Sequence, residues 1–151
     1  MVLASTSRLS WALYQQRRFQ DSARLQKEVF DAYRDLLGAT HPTTLSTAFD
    51  LAVSLRETGA AANVEAALEL AIDVVRKLRT VLDARHPKTH VASAILALIL
   101  SAANRKRLAL LRIDRALRRL AAILGEEHGS VENVRRWRAR IEGEDAVAVA
   151  P

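Results

Sequence analysis

The sequence predicts an all-α protein, a right-handed superhelical solenoid of about three helix-turn-helix repeats with a C-terminal capping helix. Three observations predict this fold. Alanine, leucine and arginine are abundant, whereas the 151 residues include only 5 glycines and 3 prolines, a composition typical of helical proteins. Apolar residues recur at three- and four-residue steps, as in a helix buried on one face. One phrase occurs three times with changes, as "LLGATHPTTL", "VLDARHPKTH" and "ILGEEHGSVE".

The phrase recurs at the spacing of a helix pair. His41 and His86 are 45 residues apart, and His86 and His128 are 42 apart. The segments "LSWAL", "LAVSL" and "LALIL" fall at matching offsets in the three units. One helix pair cannot bury its own apolar face, but stacked pairs can, so this period predicts a solenoid.

Each repeat is predicted to hold two helices. In chain order, the predicted helices cover residues 5–18, 19–37, 42–58, 64–82, 87–103, 106–124 and 130–142. The first helix of each repeat carries one of the three "L-x-x-x-L" segments, and the fourth helix shows the helical period in Leu68, Ile72, Val75 and Leu78. The seventh helix has no partner and is expected to cap the third pair.

Prolines and glycines mark the predicted helix ends. Pro42 and Pro87 lie in first turns, where the missing N–H has no intrahelical partner. Gly38, Gly59 and Gly125 follow helical runs and are expected to end them. Thr40 and the junction histidines are the candidate N-caps, and threonine is favoured because its hydroxyl is a common capping group.

One domain is expected over residues 3–142. Its repeats are expected at about 3–41, 42–86 and 87–128, with the cap at 129–142. The last segment, residues 143–151, has no helical period and is expected to form a flexible tail.

Composition narrows the functional class. There is no cysteine, so disulfides and thiolate metal sites are excluded. The N-terminus has no cationic start followed by an apolar core, so we expect no secretory signal. The longest apolar stretch, residues 91–103, is too short to span a bilayer, and we expect a cytoplasmic protein without membrane contact.

With these residues in place, the chain resembles the tetratricopeptide repeat, in the 42-residue form of kinesin light chains and bacterial sensor arrays. The resemblance rests on "L-G-x-x-H-P-x-T" and on "L-A" in the first helix, and it implies a protein-interaction module. It also implies small residues where paired helices approach. These are Ala52, Ala97 and Ser10 in the first helices, and Ala67, Ala109 and Ser22 or Ala23 in the second. Asp50 and Ile95 stand where peptide-binding members often carry asparagine, and Gly129 replaces the third proline.

No residue pattern predicts catalysis, a metal or a cofactor. The chain has no glycine-rich phosphate loop and no "G-x-S-x-G". His41, His86 and His128 occupy equivalent junctions, too far apart to share an ion, and are expected to cap and pack. His90 follows His86 by four residues, but Pro87 interrupts that face. We therefore expect a protein that is not an enzyme.

An apolar strip along the concave wall is the predicted partner-binding groove. It is expected to receive a peptide or helix of another protein, and a second copy of this chain is the alternative occupant. Both are favoured over simple burial in the core. The predicted groove residues are Trp11, Tyr14, Ser46, Phe49, Asp50, Val53, Val91, Ala94, Ile95 and Leu98.

A basic surface is the second predicted feature. The segment from Arg105 to Arg140 contains eleven basic and four acidic residues. Its net charge is therefore +7, compared with +6 for the whole chain. We expect this surface to steer an acidic partner, with nucleic acid as the alternative, although stacking aromatics are lacking apart from Trp137. Its predicted residues are Arg105, Arg112, Arg115, Arg119, Arg135 and Arg136.

Overall fold

Seven helices make up the described chain, in the predicted order. The computed structural model describes residues 2–149, with side chains through residue 143. The helices are α1 (Val2–Gln15), α2 (Phe19–Leu37), α3 (Pro42–Glu57), α4 (Ala61–Val81), α5 (Pro87–Ala102), α6 (Lys106–Leu124) and α7 (Gly129–Val149). No strand occurs within residues 2–149. The predicted all-α class is confirmed, and the bounds of α2 and α6 are those predicted.

The chain divides into two compact units, residues 1–77 and 78–151, and the division falls inside α4. In the first unit, α2 packs against both α1 and α3. In the second unit, α5, α6 and α7 pack against one another. A single domain over residues 3–142 stays a prediction.

Residues with positive φ end the helices at equivalent places in each repeat. At the junctions between repeats they are Gly38, Asp83 and Gly125, with φ of 93°, 103° and 92°. Within the repeats they are Arg17, Gly59 and Asn104, with φ of 62°, 72° and 64°. The glycine stops were predicted, whereas the three other residues were missed because they lack the glycine signal. Asp83 is helped by its own side chain, whose Oδ1 accepts a hydrogen bond from the backbone N–H of Arg85 at 3.2 Å.

Histidine, rather than threonine, caps the helix that follows each junction. The Nδ1 atoms of His41, His86 and His128 accept hydrogen bonds from the backbone N–H two residues later, each at 3.1 Å. The preference for Thr40 was therefore wrong, because His41 is the residue in extended conformation directly before the first helical turn. The third junction forms the same bond although it lacks proline.

Replacing His86 should separate capping from other roles of this residue. His86→Ala removes the acceptor for the N–H of Lys88, and we expect a loss of about 0.5–2 kcal/mol in the free energy of unfolding. His86→Asn places an amide oxygen the same number of bonds from the backbone and should retain most of that stability. Urea unfolding followed by circular dichroism measures both. Equal losses in the two variants would show that the ring itself, and not its acceptor, matters.

Small residues allow the helices to approach, as predicted. Ala52, Ala67, Ala97 and Ala109 are fully buried. In the first unit, the candidates for the small position of the second helix are Ser22 and Ala23. The structure favours Ser22, because its side chain bonds directly to Ser10, the small residue of the first helix.

The Ser22 hydroxyl donates to the backbone oxygen of Ser10 at 2.8 Å and lies 3.4 Å from the Ser54 hydroxyl. These two contacts join α1, α2 and α3.

Leu9 differs in exposure from the equivalent leucines of the other two repeats. It is 54% exposed, whereas Leu51 and Leu96 are buried.

The seventh helix covers the third pair but is longer than predicted. It packs against α5 and α6 and buries Val131, Val134 and Ile141, while Trp137 is only half-buried. It runs to Val149 instead of ending at residue 142, so most of the expected tail is helical. Residues 150 and 151 of that tail lie outside the described part of the chain.

Candidate functional site

An aromatic cluster lies where α1 meets α2 in the first unit. The rings of Trp11 and Tyr14 are stacked, with centroids 5.5 Å apart and planes 5° from parallel. Phe19, at the start of α2, meets the Tyr14 ring edge-on at 5.1 Å, and the guanidinium of Arg17 lies 5.9 Å from the Phe19 ring. Trp11 stays 57% exposed. Phe19 and Arg17, two members of this cluster, were not predicted.

The predicted groove residues of α3 are accessible to different degrees. Ser46 and Asp50 are exposed, and Phe49 and Val53 are half-buried. Desolvation by surrounding protein atoms raises the pKa of the Asp50 carboxyl, although part of the residue still reaches the surface. All four residues keep part of their surface accessible, and their role in a groove stays a prediction.

On α5 the prediction of an open surface fails for two residues. Ala94 and Leu98 are buried, while Val91 and Ile95 are half-buried. Both α6 and α7 pack on α5, so this helix has more packing partners than its sequence indicates. Ala94 and Leu98 therefore belong to the buried core and not to an open groove.

A second groove in the first unit was not predicted. It has a volume of about 680 Å³, with walls from α2 and α4 and a floor that includes Leu51 and Leu55 of α3. Arginine and lysine residues line its α2 wall, and Glu69 and Asp73 line its α4 wall. Ion pairs neutralise much of this charge. Their partners are Lys27 with Asp31, Arg34 with Asp31, and Asp73 with Arg76 and Lys77.

In the second unit, a basic pocket brings together three of the predicted arginines. Its volume is about 440 Å³, and it lies between the end of α4, the start of α5 and one face of α6. The predicted Arg112, Arg115 and Arg119 line it, and Arg79 joins them. No acidic residue lines the pocket. We refer to this site as the arginine pocket.

The wall of the arginine pocket is partly ordered by hydrogen bonding. The Arg112 guanidinium donates to the Ser93 hydroxyl at 3.0 Å. Burial and the neighbouring charges of Arg79 and Arg115 lower the pKa of Arg112. Burial, followed by the charges of Arg119 and Arg79, lowers the pKa of His90, which also lines the pocket. The arginines therefore repel one another, and burial together with their charges disfavours the protonated form of His90.

The other predicted basic residues are placed elsewhere. Arg135 pairs with Glu126, Arg136 bonds to the side-chain oxygen of Asn133, and Arg105 precedes the first turn of α6. Three of the six predicted basic residues thus line the arginine pocket, and the other three do not. Arg79, His90 and Ser93 were missed because they belong to other helices, and only an alignment of the repeats could have connected them with α6.

Metal-binding groups and membrane-spanning helices are both absent from the described part of the chain. Among residues with described side chains, no group of three histidine or acidic residues is arranged to hold a metal ion. Within residues 2–149, none of the helices combines the length and the apolar composition that crossing a membrane requires.

Comparison with known proteins agrees with the repeat architecture. Residues 2–43 match the family model described as tetratricopeptide repeat. Two crystal structures share the fold over 95% of this chain at 24% identity, one of a protein described as a kinesin light chain of Podosopora anserina with nearly identical TPR-like repeats, the other of its variant. Their TM-scores are 0.80 and 0.79, and the chain spans 67% and 66% of their lengths. No curated protein matches. The resemblance to tetratricopeptide repeats of the kinesin-light-chain type is confirmed.

Proposed function

We propose that this array of tetratricopeptide-type repeats is a protein-interaction module that binds a peptide or helix of a partner through the aromatic surface of its first unit. The residues proposed to form this surface are Trp11 and Tyr14 of α1 and Phe49 and Val53 of α3, together with the polar Ser46 and Asp50 of α3. Tetratricopeptide repeats generally mediate protein–protein interactions and are typically non-enzymatic, which supports the class of function.

The observation that carries this proposal is the exposure of a stacked aromatic pair. Trp11 leaves 57% of its surface exposed although it stacks on Tyr14. Tryptophan and tyrosine dominate the binding energy of protein interfaces because they offer large contact areas and lose little conformational freedom. Stacking further restricts both rings before a partner arrives, which lowers the entropic cost of binding.

The half-buried apolar residues fit the same occupant. Phe49 and Val53 expose part of their side chains, and the desolvated Asp50 carboxyl lies among the predicted groove residues. A carboxylate beside apolar surface can accept hydrogen bonds from the backbone N–H groups of a bound peptide. Val91 and Ile95 of the second unit remain candidates for a similar role, whereas the buried Ala94 and Leu98 do not.

Two alternative functions predict different behaviour in solution. A second copy of this chain could occupy the aromatic surface, in which case the molecular mass in solution would rise with concentration. Nucleic acid could meet the basic residues of the second unit, in which case binding would weaken steeply as salt rises. A cytoplasmic location and an acidic partner also remain proposals.

The test replaces one exposed apolar residue of α1 at a time. Trp11→Glu should abolish partner binding, whereas Leu9→Glu, an equally exposed residue of the same helix 200° away, should leave it unchanged. Partners are captured from source-cell lysate treated with nuclease, with the whole chain as bait, and identified by mass spectrometry. Affinity is then measured with the purified partner.

Tryptophan fluorescence provides a direct readout. The chain has only two tryptophans, so Trp137→Phe leaves Trp11 as the single reporter. A partner that covers Trp11 should shift its emission to shorter wavelength and protect it from acrylamide quenching. If a partner binds equally well to Trp11→Glu, or leaves Trp11 open to quenching, the aromatic surface is not part of the binding site.

A further inference from the structure

We propose that the arginine pocket of the second unit is a binding site for a phosphate monoester dianion. The site is separate from the aromatic surface of the first unit and does not depend on it. Four guanidinium groups converge on a pocket of about 440 Å³, and no carboxylate lines it. Among residues with described side chains, none of the four arginines forms an ion pair.

The first unit shows what such a groove looks like when its charge is internally balanced. Residues of α4 and α6 correspond at a spacing of 42, as the small residues Ala67 and Ala109 do. At that spacing, Asp73 of the first groove corresponds to Arg115 of the arginine pocket, and both line their sites.

Leu70 corresponds in the same way to Arg112, while Arg34 corresponds to Arg79 at the 45-residue spacing of the preceding repeats. Asp73 is paired with Lys77 and Arg76, each at 2.6 Å. Glu69 corresponds in the same way to Leu111, so three replacements in one repeat convert a neutralised groove into a site of uncompensated positive charge. Such a cluster raises the free energy of the protein unless an anion is bound.

The geometry of the pocket suits an oxyanion. Arg112 is half-buried and is oriented by its hydrogen bond to Ser93, so its planar donors are positioned before a ligand arrives. Guanidinium groups bind phosphate oxygens through paired, charge-assisted hydrogen bonds. A phosphate monoester carries three acceptor oxygens and a charge near −2 at pH 7, more than a single carboxylate can offer to four arginines.

The surroundings favour a compact phosphate group over a nucleic-acid strand. The only aromatic ring in the pocket lining is that of the buried His90, so no phenylalanine, tyrosine or tryptophan offers a face on which a base could stack, and Arg105, Arg135 and Arg136 do not line the pocket. Instead, exposed Leu108 and Leu111 adjoin the arginines. These leucines offer apolar contact to the group that carries the phosphate, such as the side chains beside a phosphoserine.

The experiment is isothermal titration calorimetry of the full chain at constant ionic strength. The probes are inorganic phosphate, a phosphoserine peptide, its unphosphorylated form, and a single-stranded oligonucleotide. The pocket variant is Arg112→Gln/Arg115→Gln, and the control is Arg107→Gln/Arg118→Gln, which removes the same charge from exposed residues of α6 that do not line the pocket. Arg115→Gln alone, at an exposed position, guards against misfolding of the double variant.

We expect phosphate or the phosphopeptide to bind the native chain, with affinity falling at least tenfold in the pocket variant and less than twofold in the control. Tighter binding of the phosphopeptide than of inorganic phosphate identifies a modified side chain as the source, and the reverse identifies a free phosphate or small ester. The proposal is overturned by the absence of phosphate binding, by equal losses in both double variants, or by oligonucleotide binding that alone depends on Arg112 and Arg115. None of these results bears on Trp11.

Discussion

Ile113→Ala is expected to lower the free energy of unfolding by about 2–5 kcal/mol, the usual cost of truncating a large core side chain. Ile113 is 0% exposed on α6, and α6 packs against both α5 and α7. Truncation removes three methyl or methylene groups from the packed core. It leaves a cavity that the surrounding helices fill only in part. The loss should appear in urea unfolding followed by circular dichroism.

The matched control is Ile123→Ala on the same helix. Ile123 is 48% exposed, so the same chemical change removes little buried area, and alanine has the better helix propensity. We expect a change within about 0.5 kcal/mol. Similar losses for the two variants would contradict the assignment of Ile113 to the core of the second unit.

Local signals in the sequence determined the helices well. Pro42 and Pro87 are the first residues of α3 and α5, and Gly38 and Gly125 directly follow α2 and α6. Proline and glycine act through the backbone of their own residue, so they can be interpreted without knowing the rest of the fold. The end of α7 was predicted too early, because no residue near position 142 stops a helix outright. Gly143 costs an existing helix only about 1 kcal/mol, and no proline follows before Pro151.

Burial was harder to predict because it depends on a third helix. The all-apolar α5 was interpreted as partly open, yet α7 packs on it and Ala94 and Leu98 are buried. Helical periodicity shows which residues share a face, but it does not show what covers that face. Trp11, which was predicted to line the groove, is exposed, and its role in binding stays a prediction.

The arginine pocket shows the same limit for a functional site. The spacing of Arg112, Arg115 and Arg119 along α6 was sufficient to predict that they share a face. Arg79 and His90 come from α4 and α5, and their convergence with α6 is a tertiary property. Comparison of repeat positions would have shown that arginine replaces aspartate at one of them, a change that neither composition nor periodicity isolates.

Ala97→Leu is expected to destabilise the protein by about 1–3 kcal/mol, because a larger side chain must enter a packed contact between helices. Ala97 is fully buried on α5, which packs against α6, and the equivalent Ala52 is equally buried in the preceding repeat. The added atoms must force α5 and its neighbours apart. Ala122→Leu, at an exposed position of α6, adds the same atoms without a clash and should stay within about 0.5 kcal/mol.

A third variant uses the solution found in the first repeat. Ser10 occupies the position equivalent to Ala97, is buried, and satisfies its hydroxyl by donating to the backbone oxygen of Ser7 at 2.8 Å. Ala97→Ser can form the same bond to the preceding turn, so we expect a loss of less than about 1 kcal/mol. Thermal and urea unfolding of the three variants should therefore find Ala97→Leu far less stable than Ala97→Ser. If Ala97→Leu were as stable as Ala122→Leu, close helix approach would not be the reason for a small residue at this position.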